Sequence, residues 1–306
     1  MRIESVAICG MGALGMLYGT HIIDHTGADK LYYVMDGDRL KKYAQRAFYR
    51  NGEPCRLPMR GCAEASPVDL LIVAVKSTGL EDAMRVMERC VGENTIIMSV
   101  LNGVTSEEIL GERFGREHMI YTVAQGMDAV KLGEEFSFTR MGQMLIGAKE
   151  ECQRGNLHAV CEFFDRVEMP YTAVGDIERR LWGKLMLNVG INQACMVYET
   201  TYGGCLEPEG EPYRTMIAAM REVIAVANCE GIAIGEDDLN GYINLLRTLS
   251  PEAMPSMRQD GLARRPSEVE LFAGTIRALG RKHGILVPTN DFLYERVREM
   301  EAGYSR

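Results

Sequence analysis

Over residues 1–174 the chain alternates short apolar runs with stretches in which apolar residues recur every three or four positions. The runs at 6–9, 31–35, 70–75, 96–100 and 119–122 are too short for helices and lack a polar alternation, which predicts strands covered on both faces. Between them, 80–90 and 106–114 have helical periodicity, the second opened by Thr105 and Ser106 with Glu107 and Glu108 in its first turn. Strand–helix alternation implies a parallel sheet with right-handed crossovers. Residues 136–148 alternate apolar with polar side chains and predict added antiparallel strands, 171–174 predict one last strand, and Gly175-Asp176 marks a boundary. Beyond it the strand signal ends. Residues 177–199, 212–230, 236–249, 267–283 and 289–301 all read as helices, so the expected fold is an α/β domain over 1–174 followed by an all-α domain over 175–306.

One helical stretch breaks its own pattern. Residues 181–197 are apolar on nearly every side, yet Lys184, Asn188 and Asn192 recur at i, i+4 and i+8 and so stack on one face. A lysine and two amides buried in such a helix cost several kcal/mol unless they are paired or face a polar cleft. The alternative is a lysine snorkelling to solvent beside two satisfied core amides.

The first strand runs into Gly10-Met11-Gly12-Ala13-Leu14-Gly15 and then a helix, the G-x-G-x-x-G arrangement of a dinucleotide-binding unit. Gly10 permits the tight turn, Gly12 lets the backbone approach a pyrophosphate, and Gly15 allows close helix–strand packing. The helix N-terminus offers unpaired N–H groups and the positive end of its dipole to phosphates. Asp36 follows the second strand, where an acid accepts hydrogen bonds from the ribose hydroxyls; a simple turn former is the alternative. Lys76 and Asn102 follow the third and fourth strands, positions that border the cofactor crevice of a doubly wound sheet, though a solvated lysine and a turn asparagine would look the same.

Composition narrows the function. The 306 residues are 46% hydrophobic with a net charge of −9, enough for two domains and without a basic patch for nucleic acid or an anionic membrane. The nine cysteines show no C-x-x-C or metal-type spacing and the five histidines do not cluster, so no metal is expected. So many thiols suggest a reducing compartment. With no signal-like opening and no apolar run of about 18 residues, a cytoplasmic protein is expected.

In the helical part, Ser256-Met257-Arg258-Gln259-Asp260 is followed by Pro266-Ser267-Glu268; Ser267 with Glu270 reads as a capping box that places Glu268 in a first helical turn. Taken in order, GMGALG at the start, AVK around Lys76, LNG around Asn102, LWGKLMLNVGIN around Lys184, SMRQD around Ser256 and Pro-Ser-Glu resemble ketopantoate reductases (2-dehydropantoate 2-reductases) over nearly the whole chain. The resemblance implies a Rossmann domain followed by a helical domain like that of 6-phosphogluconate dehydrogenases. The implied reaction is hydride transfer from NAD(P)H to the keto carbon of a small 2-oxo acid, ketopantoate. It also implies Lys184 as the catalytic lysine with Glu268 as its acidic partner, and Asn188, Asn192 and Ser256 as substrate-binding residues. Lys76 and Asn102 match positions near the nicotinamide, Asn102 also near the substrate. A homodimer is the assembly to be considered.

Two positions depart from the family pattern: Gln193 replaces a common proline, and Asp36 stands where many members carry an arginine for the 2′-phosphate of NADP. The family habit is NADP; Asp36 favours NAD. The alternatives are a related two-domain dehydrogenase acting on another 2-oxo or 3-hydroxy acid and a dinucleotide-binding protein without turnover.

Overall fold

A computed structural model describes residues 1–304. The chain forms two compact units that divide at Ile177/Glu178.

The first unit is built on β1 (Val6–Cys9), β2 (Leu31–Met35), β3 (Phe48–Arg50), β4 (Glu53–Cys55), β5 (Met59–Gly61), β6 (Leu70–Val73), β7 (Ile96–Ser99), β8 (Met119–Gln125), β9 (Val130–Leu132), β10 (Glu135–Ser137), β11 (Gln143–Gly147) and β12 (Tyr171–Ala173). Eight of them form one sheet in the order β12-β11-β8-β7-β6-β1-β2-β5. The middle of this sheet is parallel, with Val6 opposite Leu31 on one side and Leu70 on the other. β1, β2, β6 and β7 are buried along their whole length, which is why their sequences are apolar without alternation. β11 pairs antiparallel with β8, as the 136–148 pattern predicts for that end of the segment. β10 instead joins a separate sheet, β4-β3-β10-β9, whose three-residue strands were too short to leave a periodic signal.

The helices of this unit are α1 (Ala13–Thr26), α2 (Gly37–Ala44), α3 (Leu80–Met87), α4 (Ser106–Phe114) and α5 (Arg154–Arg166). α1 lies tight on the sheet. The Tyr33 hydroxyl of β2 donates to the Gly15 carbonyl at 3.1 Å, and a Cβ on Gly19 would come within 2.0 Å of that hydroxyl.

α4 holds Glu107 and Glu108 in its first turn, as the sequence predicts. Thr105 makes no side-chain cap, and Glu107 is 1% exposed. The Ser106 hydroxyl donates to Glu107 Oε2 at 2.8 Å and pairs with Ser99 Oγ at 2.8 Å, which in turn accepts Leu101 N–H. Burial pushes the Glu107 carboxyl up from its ordinary 4.5 to about 7, against the opposing pull of the Ser106 hydroxyl.

The second unit contains α6 (Ile177–Leu187), α7 (Gln193–Val197), α8 (Tyr202–Cys205), α9 (Glu211–Cys229), α10 (Glu236–Arg247), α11 (Ser256–Leu262), α12 (Thr275–His283) and α13 (Pro288–Ala302). Two of the long helices are interrupted by π-helix: Asn188–Asn192 joins α6 to α7, and Glu270–Gly274 runs into α12. Its core gathers Val189, Met216, Met220, Val223, Phe272, Ile276, Leu293 and Val297, all fully buried. Each such side chain stabilises the fold by about 1.5–3 kcal/mol. Gly190 lets α9 approach, since a Cβ there would lie 2.6 Å from Met220 Cγ. Glu222 on α9 caps α13 by accepting the Thr289 and Asn290 N–H groups.

The 267–283 segment corrects the sequence reading. Ser267 and Glu270 form no capping box: Ser267 N–H and Oγ both donate to Glu301 Oε1, and Glu270 Oε1 accepts from the Tyr294 hydroxyl. Glu268 therefore precedes a π-helix rather than sitting in a first α-turn; its carbonyl accepts Leu271 and Phe272 N–H. Ser267 Oγ keeps one local bond, accepting Val269 N–H at 3.4 Å, while Glu301 and Tyr294, distant in sequence, take the groups a capping box would use.

A raised folded-state pKa means that the neutral Glu107 acid is favoured by the fold. Its contribution is full below about pH 4.5 and is lost as pH rises through about 7. Glu107→Gln should flatten this dependence: between pH 6 and 8 its melting temperature should fall less than that of the parent protein, as read by differential scanning calorimetry. Parallel curves would exclude the effect.

Candidate active site

The turn after β1 shows what each glycine is for. Gly10 has φ +116°, and a Cβ there would sit 2.4 Å from the Ala74 carbonyl oxygen. A Cβ on Gly15 would sit 2.1 Å from the Gly10 carbonyl oxygen. Gly12 is different: it is exposed, its φ is ordinary, and an added Cβ would meet only the Ala74 oxygen at 3.8 Å. Nothing inside the protein crowds position 12, so the backbone there is open to approach from outside the chain. Gly12 is the N-cap of α1, whose first turn holds no acid and which no side chain caps. Met11 is buried, while Ala13 and Leu14 are half-buried in the same turn. This is a cradle that fits a dinucleotide pyrophosphate.

Three further residues lie just beyond parallel strands of this sheet. Lys76 is exposed and caps a short 3₁₀ turn after β6, its carbonyl accepting Gly79 N–H at 2.9 Å. Asn102 is half-buried beyond β7, beside Gly103 at φ +94°. Asp36 follows β2 and caps α2, its Oδ1 accepting Arg39 N–H at 2.7 Å and its Oδ2 lying 3.8 Å from Arg39 Nε. The cap uses one carboxylate oxygen, and the Asp36 side chain stays half exposed.

In the helical unit, Asn188 (9% exposed) and Asn192 (5%) are buried, and Lys184, one turn earlier, is half-buried. Asn192 Oδ1 accepts from Ser256 Oγ and from Met257 N–H, each at 3.2 Å, while its Nδ2 donates to Asn188 Oδ1 at 3.1 Å. The backbone N–H of Met257 can only donate, which settles the orientation of both amides. Three of the residues singled out in the sequence thus form one hydrogen-bonded cluster, and Ser256 reaches it from the start of α11, a helix the periodicity did not predict. Glu268 is half-buried ahead of the second π-helix.

Sequence reasoning undervalued two residues here. Gln193 was noted only as a departure, yet it is fully buried, with Nε2 donating to the Val189 carbonyl at 2.8 Å and Oε1 accepting Ala273 N–H at 3.1 Å. Arg258, 9% exposed, pairs through Nη1 with Glu199 Oε1 at 3.2 Å, and Glu199 holds a strained φ of +51°. A long polar side chain inside an apolar run was the available signal for Gln193.

A parallel sheet ending in a phosphate-ready glycine turn, with a helical unit in which a half-buried lysine precedes a clustered amide pair by one turn, fits an NAD(P)-dependent oxidoreductase. Comparison with known proteins agrees. The ketopantoate reductase PanE/ApbA family profile matches residues 6–151, and its C-terminal counterpart matches residues 176–301. The chain belongs to the ketopantoate reductase family. It is 28% identical to the 2-dehydropantoate 2-reductase of Vibrio cholerae, covering 99% of each chain. Its fold is similar to that of a D-mandelate dehydrogenase solved with NADH, with TM-score 0.87, 19% identity, and 98% and 100% of the two chains covered. A dimeric ketopantoate reductase from Staphylococcus aureus gives TM-score 0.78 at 20% identity, with 98% and 100% covered.

The glycines provide a direct check. Gly12→Ala should leave the melting temperature nearly unchanged but weaken NAD(P)H binding, whereas Gly15→Ala should lower the melting temperature because its Cβ overlaps a carbonyl oxygen. Thermal melts together with dinucleotide titration separate the two. A Gly12→Ala variant that binds dinucleotide normally would remove the pyrophosphate from that turn.

Proposed function

We propose that this protein reduces the 2-keto group of ketopantoate to pantoate, the step that feeds pantothenate and coenzyme A synthesis. The observation that carries the reading is the Asn188–Asn192–Ser256 cluster, its two amides buried, one helical turn from Lys184, in a chain of the ketopantoate reductase family. A bound reduced nicotinamide supplies the hydride that adds to the carbonyl carbon. As it adds, negative charge builds on the carbonyl oxygen. The Lys184 ammonium stabilises that charge and donates the proton that completes the hydroxyl. Glu268 keeps Lys184 charged and aligned or accepts from a substrate hydroxyl. Asn188, whose oxygen is held by Asn192, offers its N–H pair to the substrate, and Ser256 and Asn102 add hydroxyl and amide contacts. Gly10–Gly15, Lys76 and Asp36 hold the dinucleotide.

Partners beyond the 2-oxo acid reduce to a second copy of this chain, a reading supported by the dimeric S. aureus protein of similar fold. Nine free cysteines support a reducing compartment, the cytoplasm, and among the described residues no helix is long and apolar enough to cross a membrane. The fold shared with D-mandelate dehydrogenase favours, as a second reading, a different 2-oxo acid as substrate.

Loss of absorbance at the nicotinamide band with ketopantoate, against a panel of branched and aromatic 2-oxo acids, tests the reading. Lys184→Ala should lower kcat by about 10²–10³-fold while dinucleotide binding stays intact, and adding Glu268→Ala should cost less than the two separate losses combined. Near-normal kcat in Lys184→Ala would make the lysine structural.

Asp36 generates a cofactor prediction. Its carboxylate accepts from the ribose hydroxyls of NADH and repels the 2′-phosphate of NADPH, an effect of about 1 kcal/mol or more at contact distance even in a watery site. Arg39, the cation able to oppose it, is already paired to Asp36. NADH should therefore give the higher kcat/KM, by roughly fivefold or more. Asp36→Arg should move selectivity toward NADPH; an NADPH preference in the parent protein would mean that Arg39 outweighs Asp36.

A further inference from the structure

A π-turn shifts backbone hydrogen bonds from i→i−4 to i→i−5 and strands groups that a regular helix would pair. In the second π-helix, Gly274 N–H takes the Val269 carbonyl at 3.0 Å, which displaces the N–H of Ala273 from the partner it would have in an α-helix. In the first, Gln193 N–H turns to the Gly190 carbonyl rather than to Val189. One side chain answers both defects. The Gln193 carboxamide donates to the Val189 carbonyl at 2.8 Å and accepts Ala273 N–H at 3.1 Å, with no surface exposed.

The consequence is a fixed register between two irregular segments. One carries Asn188 and Asn192; the other begins two residues after Glu268, whose carbonyl accepts Leu271 and Phe272 N–H at its start. We propose that Gln193 is a positioning residue, which touches neither substrate nor dinucleotide but locks the two π-helices together and so holds the amide pair and Glu268 in mutual register. The proposal rests on the functional reading above for its catalytic consequence, though not for the lock itself.

Gln193→Met keeps length and volume and removes both hydrogen bonds. Hydrogen exchange followed by mass spectrometry should show the amides around Val189–Asn192 and Ala273 losing protection together. The kcat for the best 2-oxo acid should fall by about 10²-fold, the usual effect of a displacement near 1 Å, with the Kd for reduced dinucleotide unchanged. Gln193→Glu supplies the second measurement. Its neutral carboxyl can still donate to Val189 and accept from Ala273, whereas its anion cannot donate. Its kcat relative to the parent should therefore recover toward low pH and fall as pH rises, a titration that a merely space-filling side chain would not produce.

If Gln193→Met is folded, with unchanged protection at Ala273 and kcat within twofold of the parent, the proposal fails. If that variant does not fold, a Gln193→Glu to parent ratio that is flat between pH 6 and 8 overturns it instead. Should the parent protein reduce no 2-oxo acid, the functional reading fails alone, and the exchange pattern of Gln193→Met still decides the lock.

Discussion

A π-helix in a protein interior survives only where its displaced backbone groups find partners, because an unpaired buried N–H or carbonyl costs about 1–3 kcal/mol. In this protein the partner for both irregular segments is a single carboxamide, that of Gln193. The first of these segments carries Asn188 and Asn192. A regular helix from Ile177 to Val197 would advance Lys184, Asn188 and Asn192 evenly along one stripe. The π segment widens the turn between Asn188 and Asn192, and there Ser256 Oγ and Met257 N–H both reach the Asn192 oxygen. The two asparagines of this apolar helix are thus not stray core amides, since each is hydrogen-bonded to the other.

The dinucleotide unit obeys a different constraint, steric rather than polar. Gly10 and Gly15 are demanded by carbonyl oxygens within 2.4 and 2.1 Å of where a Cβ would stand, so they serve the fold. Gly12 faces open space at the N-cap of α1, so packing makes no demand for glycine there. The same three-glycine pattern therefore splits into two positions set by packing and one that is not. After β2, Asp36 caps the N-terminus of α2 with one carboxylate oxygen while the other lies near the Arg39 guanidinium.

The two units also treat buried charge differently. Arg258 is matched by Glu199, a residue with left-handed backbone after the end of α7. Glu107 has no cation and is instead held near neutrality by burial, its acid proton standing in for a counter-ion. A hydroxyl chain from Ser106 through Ser99 to the Leu101 N–H ties this acid to the loop that carries Asn102.

What the sequence by itself determined were the features encoded by local periodicity and backbone permissiveness. The central strands are apolar because helices cover both faces, the glycine turn needs missing Cβ atoms, and Lys184, Asn188 and Asn192 recur at helical spacing, so all three were legible in order. Only the tertiary structure decided the rest. Ser267 and Glu270 have the spacing of a capping box, but Glu301 and Tyr294 took their hydrogen bonds from far along the chain. Glu107 has the spacing of a solvated first-turn acid, yet it is buried. Strands three residues long leave no period to read, and a π-turn has no residue signature of its own. It exists because Gln193, Val189 and Ala273 meet in space, and spatial meetings between distant segments are set by packing rather than by neighbours in the chain.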